Sequence, residues 1–456
     1  MKRLATEALP RRGGRGLALV VAAASWLSFV PATLTGQQTE ATLDAKDVRG
    51  GPGSAGSADA AGSAGAAGSA DAADSADAAD AADTAVAGVA GGVLDQGFVQ
   101  AGPGREVVLP GDHGSHPETQ IEWWYLTGPL SGPSGELFGF QATWFRRALV
   151  AEVPAGRSPL AAREVILFHG ALTDVAAGTM TFFESASRAY PPWAGADSHK
   201  LAVHLFDQQL TDESGEGQAA TLSIDLGHTQ LQLDLDLTAS ATLRHGEEPG
   251  LSVKGHGPGQ ASWYYSLPTV AAQGQLLRDG QPALDVQGRA WLDHEFGSGP
   301  LSEDQVGWDW FATVLDDGTE LMAYQLRRDD GSPASTSSLS LRREGGELQH
   351  IGQEGFAITA TETWASPHSG AVYPSAWVLE VFDPPLALQV SATVADQELI
   401  TESTGVTYWE GLCRFDGQLD GREVQGHGYV ELVGYAGSVA DRFGARTTSD
   451  EHHIKR

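Results

Sequence analysis

The sequence predicts an all-β chain built from two β units, and three observations lead there. From Gly97 to Tyr435, short runs alternate apolar and polar side chains, the period of a half-buried strand. Gly, Asp-Gly and Ser-Gly turn signals separate those runs, and no run sustains a helical apolar period over three turns. The stretch is also too long for one sandwich or barrel, so two β units are expected. Closing each into a barrel would remove its exposed edges.

The elements before the strands have a different character. Residues 1–38 read as a signal peptide: Lys2, Arg3, Arg11, Arg12 and Arg15 precede an apolar run from Leu17 to Val30, and Val30-Pro31-Ala32 forms a small-residue exit. Ser25 interrupts that run, which falls short of the roughly 20 residues a spanning helix needs, so cleavage rather than anchoring is expected. The expected location is periplasmic or extracellular, with no stable transmembrane segment after cleavage. Residues 39–96 are Ala, Gly, Ser and Asp in near-repeats without an aromatic residue, a composition that cannot bury a core and reads as a flexible linker. A helix in its Ala-rich part would bury nothing.

The strand texture then begins, as in Glu122-Trp123-Trp124-Tyr125-Leu126, in 138–145, in 231–237 and in 308–314. Asp279-Gly280 and Asp316-Asp317-Gly318 read as hairpin turns. The 12 Trp, 15 Phe and 9 Tyr supply a core, and they must do so without disulfides because Cys413 is the only cysteine. Its place also closes the lipoprotein route, which needs a cysteine just after the apolar run. The net charge is −31 and no basic stripe is present, which excludes nucleic acid as a partner. Residues 438–456 form a polar tail.

Six ordered blocks carry a family resemblance. They are 112–117 (Asp-His-Gly-Ser-His-Pro) with 122–125, 138–141, 263–266, 288–297 (Gly-Arg-Ala-Trp-Leu-Asp-His-Glu-Phe-Gly), 307–311, and 408–411 with 428–435. Together they span Asp112 to Tyr435, and in them the chain resembles the carotenoid 1,2-hydratase family and its AttH-like relatives. The resemblance implies two tandem lipocalin-like, calycin-type β-barrel domains, with residues 97–296 in the first and 297–437 in the second. It also implies a hydratase or lyase acting on a hydrophobic, isoprenoid-like unsaturated substrate. Phe296 departs from the pattern, because the carotenoid hydratases place a Trp after the His.

Asp293-His294-Glu295 is the densest ionisable cluster on an apolar strand end, and a His beside carboxylates is a natural proton donor for alkene hydration. These three are the candidate catalytic residues. Trp124, Trp308 and Trp310 are the candidate aromatic wall for a carbocation, Tyr265 a hydrogen-bond donor and Glu122 a further ligand-binding residue. Strand geometry divides the set. Trp291, Asp293 and Glu295 share one face and His294 shares the other with Leu292 and Phe296, unless a bulge at Gly297 re-aims the strand end. The alternative role for Asp293 and Glu295 is to tie this segment to the junction between the units. Glu122 shares a face with Trp124 and is expected to pair with Arg146 or Arg289.

No cofactor and no metal are expected. His116 and His169 are the histidines that would join Glu122 and His294, but the spacing matches no ligand motif. Ser115, Ser266 and Ser298 lie on no Gly-x-Ser-x-Gly elbow, which argues against a serine nucleophile. Trp409-Glu410-Gly411 and Gly434-Tyr435 read as packing elements of the second unit. Two other functions remain open, a non-catalytic carrier of an apolar ligand in the barrel and a surface attachment factor. An ionisable group without an ion-pair partner in an apolar cavity separates the enzyme from both.

Overall fold

Strands β1 (Ile121–Ser131), β2 (Leu137–Ala148), β3 (Glu164–Asp174), β4 (Thr179–Arg188), β5 (Ala194–Ala196), β6 (Ala202–Leu205), β7 (Gln208–Thr211), β8 (Ala219–Asp225) and β9 (Thr229–Asp236) open the fold. With β10 (Leu243–Arg244), β11 (Leu251–Val253), β12 (Ala261–Arg278) and β13 (Leu284–Gly297) they make a 13-stranded antiparallel sheet in the order β4-β3-β2-β1-β13-β12-β9-β8-β7-β6-β5, with β10 and β11 both on β12. The second sheet has 10 strands: β14 (Gln305–Leu315), β15 (Glu320–Arg328), β16 (Ser338–Arg342), β17 (Gln349–Gly352), β18 (Phe356–Ala365), β19 (Val372–Val381), β20 (Leu386–Ala392), β21 (Glu398–Ile400), β22 (Thr407–Leu419) and β23 (Arg422–Val433). Its order is β17-β16-β15-β14-β23-β22-β20-β19-β18, with β21 on β22. Each sheet curls into a nearly closed, lipocalin-like barrel. This computed structural model describes residues 97–152, 158, 161–299 and 301–439. The expected signal peptide, the linker and the tail beyond residue 439 lie outside the described residues.

The alternation read from the sequence is plainest in β9, where Leu231, Leu233 and Leu235 are buried and the Gln and Asp residues between them are exposed. In β1, β2, β3 and the last half of β13 the burial is nearly continuous instead. Those strands are covered on both faces. Their inward side chains, including Trp124, Phe140, Trp144 and Leu292, fill the first barrel. Their outward side chains, including Tyr125 and Trp291, meet Trp310, Tyr408 and Tyr429 of the second sheet. Phe311, Trp377, Leu388, Trp409 and Phe415 fill the second barrel. Each large apolar side chain so buried contributes roughly 1.5–3 kcal/mol, which supports a fold in which Cys413 is a free, buried thiol.

Two glycines set the approach of the parts. A Cβ on Gly139 would lie 2.5 Å from the Tyr429 hydroxyl and 2.8 Å from Leu412 Cβ, so β2 can meet the second sheet there only without a side chain. A Cβ on Gly114 would lie 2.6 Å from the Ser198 carbonyl carbon, which keeps the 112–117 loop folded tightly over the first barrel. The expected hairpin turns are present. Gly280 and Gly318 take φ of +72° and +81° between consecutive antiparallel strands, and the Asp317 carboxylate accepts from the Thr319 amide at 2.9 Å.

The ladder of β13 runs to its last residue, with Gly297 opposite both Ile121 and Ser262. The register shift between β12 and β13 falls at Leu267/Val270, far from Gly297. No bulge re-aims the strand end, so the alternation at 293–295 stands.

Candidate functional site

His294 points into the first barrel and is fully buried. Its Nε2 lies 2.9 Å from Glu122 Oε1, and its Nδ1 lies 2.9 Å from the Asp112 carbonyl and 3.2 Å from the Tyr265 hydroxyl. Trp124 stacks on the ring at 4.9 Å. Glu122 also accepts from the His116 backbone and ring and from Arg146 Nε at 2.7 Å, and another Arg146 nitrogen donates to the carbonyls of His116 and Thr119. Burial would raise the Glu122 pKa, but hydrogen bonds from His116 and His294 and the Arg146 charge hold it well below the usual carboxylate range. The expected Arg146 pair with Glu122 is therefore present. Burial drives His294 down, whereas hydrogen bonds to Asp112 and Glu122 overcome burial at His116 and raise it.

This network is a plug that fixes the 112–117 loop across the barrel. It bears on three expectations. The carboxylates flanking His294 in sequence do not hold it, because the pleat turns Asp293 and Glu295 to the other face. Glu122, Trp124 and Tyr265 border neither the cavity between the sheets nor the groove beside it; they pack around His294 inside the barrel. His116, Glu122 and His294 do lie within reach of a common point, while His169 lies on the opposite face of the sheet. With Arg146 already paired to the carboxylate and every one of these groups hydrogen-bonded, the cluster reads as a closed network.

The outward face holds a cavity of about 210 Å³ between the two sheets. Trp123, Tyr125, Tyr264, Trp308, Trp310 and Tyr408 wall it, so the two tryptophans expected from the second unit do line a cavity. Four carboxyl groups open on it: Asp293, Glu295, Glu410 and Glu431. Asp293 accepts from Tyr264 and Trp291 at 2.5 Å each and from Ser266. Trp310 donates in turn to the Tyr264 hydroxyl at 3.1 Å. Burial lifts Asp293 to about 7 against those donors. Glu295 is ion-paired to Lys254 at 3.0 Å, and that ammonium also lies 4.2 Å from the Tyr324 ring centre.

Glu410 and Glu431 stand directly opposite each other on β22 and β23. Like charges so placed repel, and burial adds to the effect. Glu410 is raised well above the ordinary value by burial and by Glu431; Glu431 reaches about 7 through burial, against a 2.9 Å bond from Trp308 and reinforced by Asp293 and Glu295. Among the described residues, none of Asp293, Glu410 and Glu431 forms an ion pair. At the far wall His169 binds the Tyr408 hydroxyl at 2.8 Å and the Ser403 hydroxyl at 3.0 Å; burial lowers its pKa to about 4, leaving it neutral. A larger groove of about 440 Å³ lies further along β1 and β13, bordered by Arg289, Trp291, Arg414 and His427, and lacks the acid cluster.

Sequence reasoning thus found Asp293, Glu295, Trp308 and Trp310 of this cavity and missed Glu410, Glu431, Tyr264, Lys254 and Arg147. Trp409-Glu410-Gly411 was expected to be packing alone. Trp409 does pack in the second core, while its neighbour Glu410 turns to the cavity. The available signal was a lone Glu inside each of two aromatic-rich apolar strands, 408–413 and 428–433.

The chain matches the AttH-like family over residues 100–435. A solved AttH from Nitrosomonas europaea is 34% identical, superposes with a TM-score of 0.66, and is covered over 100% of its length by 74% of this chain. Kievitone hydratase of Fusarium solani subsp. phaseoli is 22% identical over 52% of this chain and 73% of its own. A dehydratase of Emericella nidulans is 24% identical over 47% of this chain and 61% of its own. The solved kievitone hydratase from Nectria haematococca, at 18% identity and a TM-score of 0.55, shares the fold over 75% of this chain and 97% of its own.

Proposed function

Because this chain belongs to the AttH-like family, we propose that it is a hydratase or dehydratase that adds water to, or removes it from, an apolar unsaturated substrate held between the two barrels. The observation that carries this reading is the set of buried carboxyls without cationic partners, Asp293, Glu410 and Glu431, in a cavity walled by Trp and Tyr. Two acids pushed to about 7 and sensing each other divide their roles at neutral pH, one protonated and one ionised. Asp293, with three donors, is the better carboxylate; Glu431, with Glu410 opposite, is the better acid.

In hydration, the Glu431 proton bonds to one alkene carbon through the π electrons. The cation left on the neighbouring carbon faces the aromatic wall and takes a lone pair from water. The surplus proton on that oxygen passes to Asp293, so one C=C and one water give one alcohol. Dehydration runs backwards: Asp293 protonates the departing hydroxyl and Glu431 removes the C–H proton. His294 has no part in these steps, since its ring has no open face. The leader from Lys2 to Val30 makes export of the enzyme part of the same proposal.

The test is incubation of the full chain with a panel of unsaturated amphiphiles in ¹⁸O-labelled water, followed by mass spectrometry for product carrying the label. Asp293→Asn and Glu431→Gln should each lower turnover on the order of 10²- to 10⁴-fold. Full activity in both variants would overturn the acid–base assignment.

A further inference from the structure

One charge in the cavity has no counterpart. Arg147 is only 7% exposed and borders the cavity, yet among the described residues its guanidinium makes no ion pair, hydrogen bond or cation–π contact. Its neighbour Arg146 points inward to Glu122, so alternation along β2 sends Arg147 outward. Ile121 and Val165 stand opposite Arg147 on β1 and β3, and Ile121 and Leu167 form an apolar collar on that side of the cavity. Burial alone acts on the guanidinium, pushing it down to about 10; it stays charged at physiological pH. The other cationic residues of the lining, Lys254 and Arg146, are already neutralised by Glu295 and Glu122.

A buried, unpaired guanidinium costs free energy unless something pairs with it, and a planar carboxylate matches its fork of donors. We infer that Arg147 is the headgroup site of the enzyme, and that the substrate is an amphipathic monocarboxylic acid whose double bond lies well removed from its carboxylate. This deepens the function proposed above and rests on it for the word substrate. The spacing follows from register. Arg147 is level with Ile121 and Asp293 is level with Tyr125. Four residues of extended strand separate the two levels, about 13 Å along β1. A single guanidinium with no second unpaired cation in the lining fits a single negative charge. An anionic substrate is compatible with the four acids because the acid end is largely neutral below pH 7: burial lifts Asp293 and Glu431 to about 7 and raises Glu410 well above its ordinary value, and Glu295 is paired.

The test compares two probes that differ only at the headgroup, 9-decenoate and 9-decen-1-ol, by isothermal titration calorimetry on the full chain near pH 6, where the probe carboxylate is ionised and Asp293 and Glu431 are mostly protonated. The wild type should bind the acid more tightly than the alcohol, by on the order of 10- to 100-fold. Arg147→Met should abolish that preference by weakening acid binding far more than alcohol binding, and Arg147→Lys should retain part of it. Equal binding of the two probes by the wild type, or binding of neither, overturns the inference, as does an undiminished preference in Arg147→Met. The wild-type comparison stands even if a variant does not fold. Binding of the acid without turnover would sink the hydratase reading and leave the carboxylate site standing; loss of the preference in an active enzyme would do the reverse.

Discussion

Asp293→Asn should make the protein more stable and less active at once. The carboxyl moves from an ordinary value of 3.8 to about 7 because it is buried. A raised value carries a definite sign: the folded state keeps a proton that the unfolded chain releases. The stability Asp293 supplies is therefore full below about pH 4 and is lost as the pH climbs to about 7. At 1.36 kcal/mol per pH unit, the total over that window is on the order of 4 kcal/mol. Asn cannot ionise, so it escapes the loss. It keeps an acceptor for Ser266 and Trp291 and must reverse the bond with Tyr264, a rearrangement costing about 1 kcal/mol. The variant should be slightly less stable than wild type near pH 4 and more stable by roughly 3 kcal/mol near pH 8. Urea denaturation of the two proteins across that range measures the difference directly. A difference that stays constant with pH would refute the buried, unpaired acid and with it the division of roles between Asp293 and Glu431. A gain in stability with a loss of turnover is the signature of a group kept for chemistry rather than for folding.

Two further outcomes follow from the placement of the other residues. His294→Asn should lower stability by about 3 kcal/mol, because it removes a buried partner of Glu122 and the stack on Trp124, while the turnover of the protein that remains folded stays within a few-fold of wild type; a large fall in turnover at unchanged stability would contradict the plug. Residues 97–297 expressed alone should bind apolar dyes and aggregate, since Tyr125, Tyr264 and Trp291 would lose their cover; a monomeric fragment with a cooperative melt would count against that.

Much of the architecture was legible because strands announce themselves by period. The runs at 122–126, 138–145 and 308–314 fall in strands, 231–237 does so up to its last residue, and both Asp-Gly signals fall in turns. The same period already split Asp293 and Glu295 from His294. What the period does not reveal is which face meets what. Trp123 and Trp124 look alike in sequence, but one borders the cavity and the other sits under His294, and only the docking of the second sheet decides which face is the working one. Glu410 and Glu431 were hidden for a related reason. They are far apart from Asp293 along the chain, and no local spacing connects residues brought together by the packing of two barrels. Arg147 was obscured by Arg146, since nothing in a pair of adjacent arginines says that one is neutralised and the other left unpaired.

The strict alternation of β13 bears on how this scaffold can change its chemistry. Positions 292 and 294 are committed to the interior of one barrel and 296 to a small cluster with Leu251 and Trp263, where substitution costs folding. Positions 293 and 295 touch the intersheet space and are answered by side chains from a second sheet. Variation at the outward positions can therefore proceed one residue away from an untouched interior, with little energetic cross-talk through the strand itself. New specificities would then be sought among 147, 254, 293, 295, 410 and 431 while 122, 146 and 294 are held fixed, so that a single ribbon carries a variable reading edge on an invariant spine.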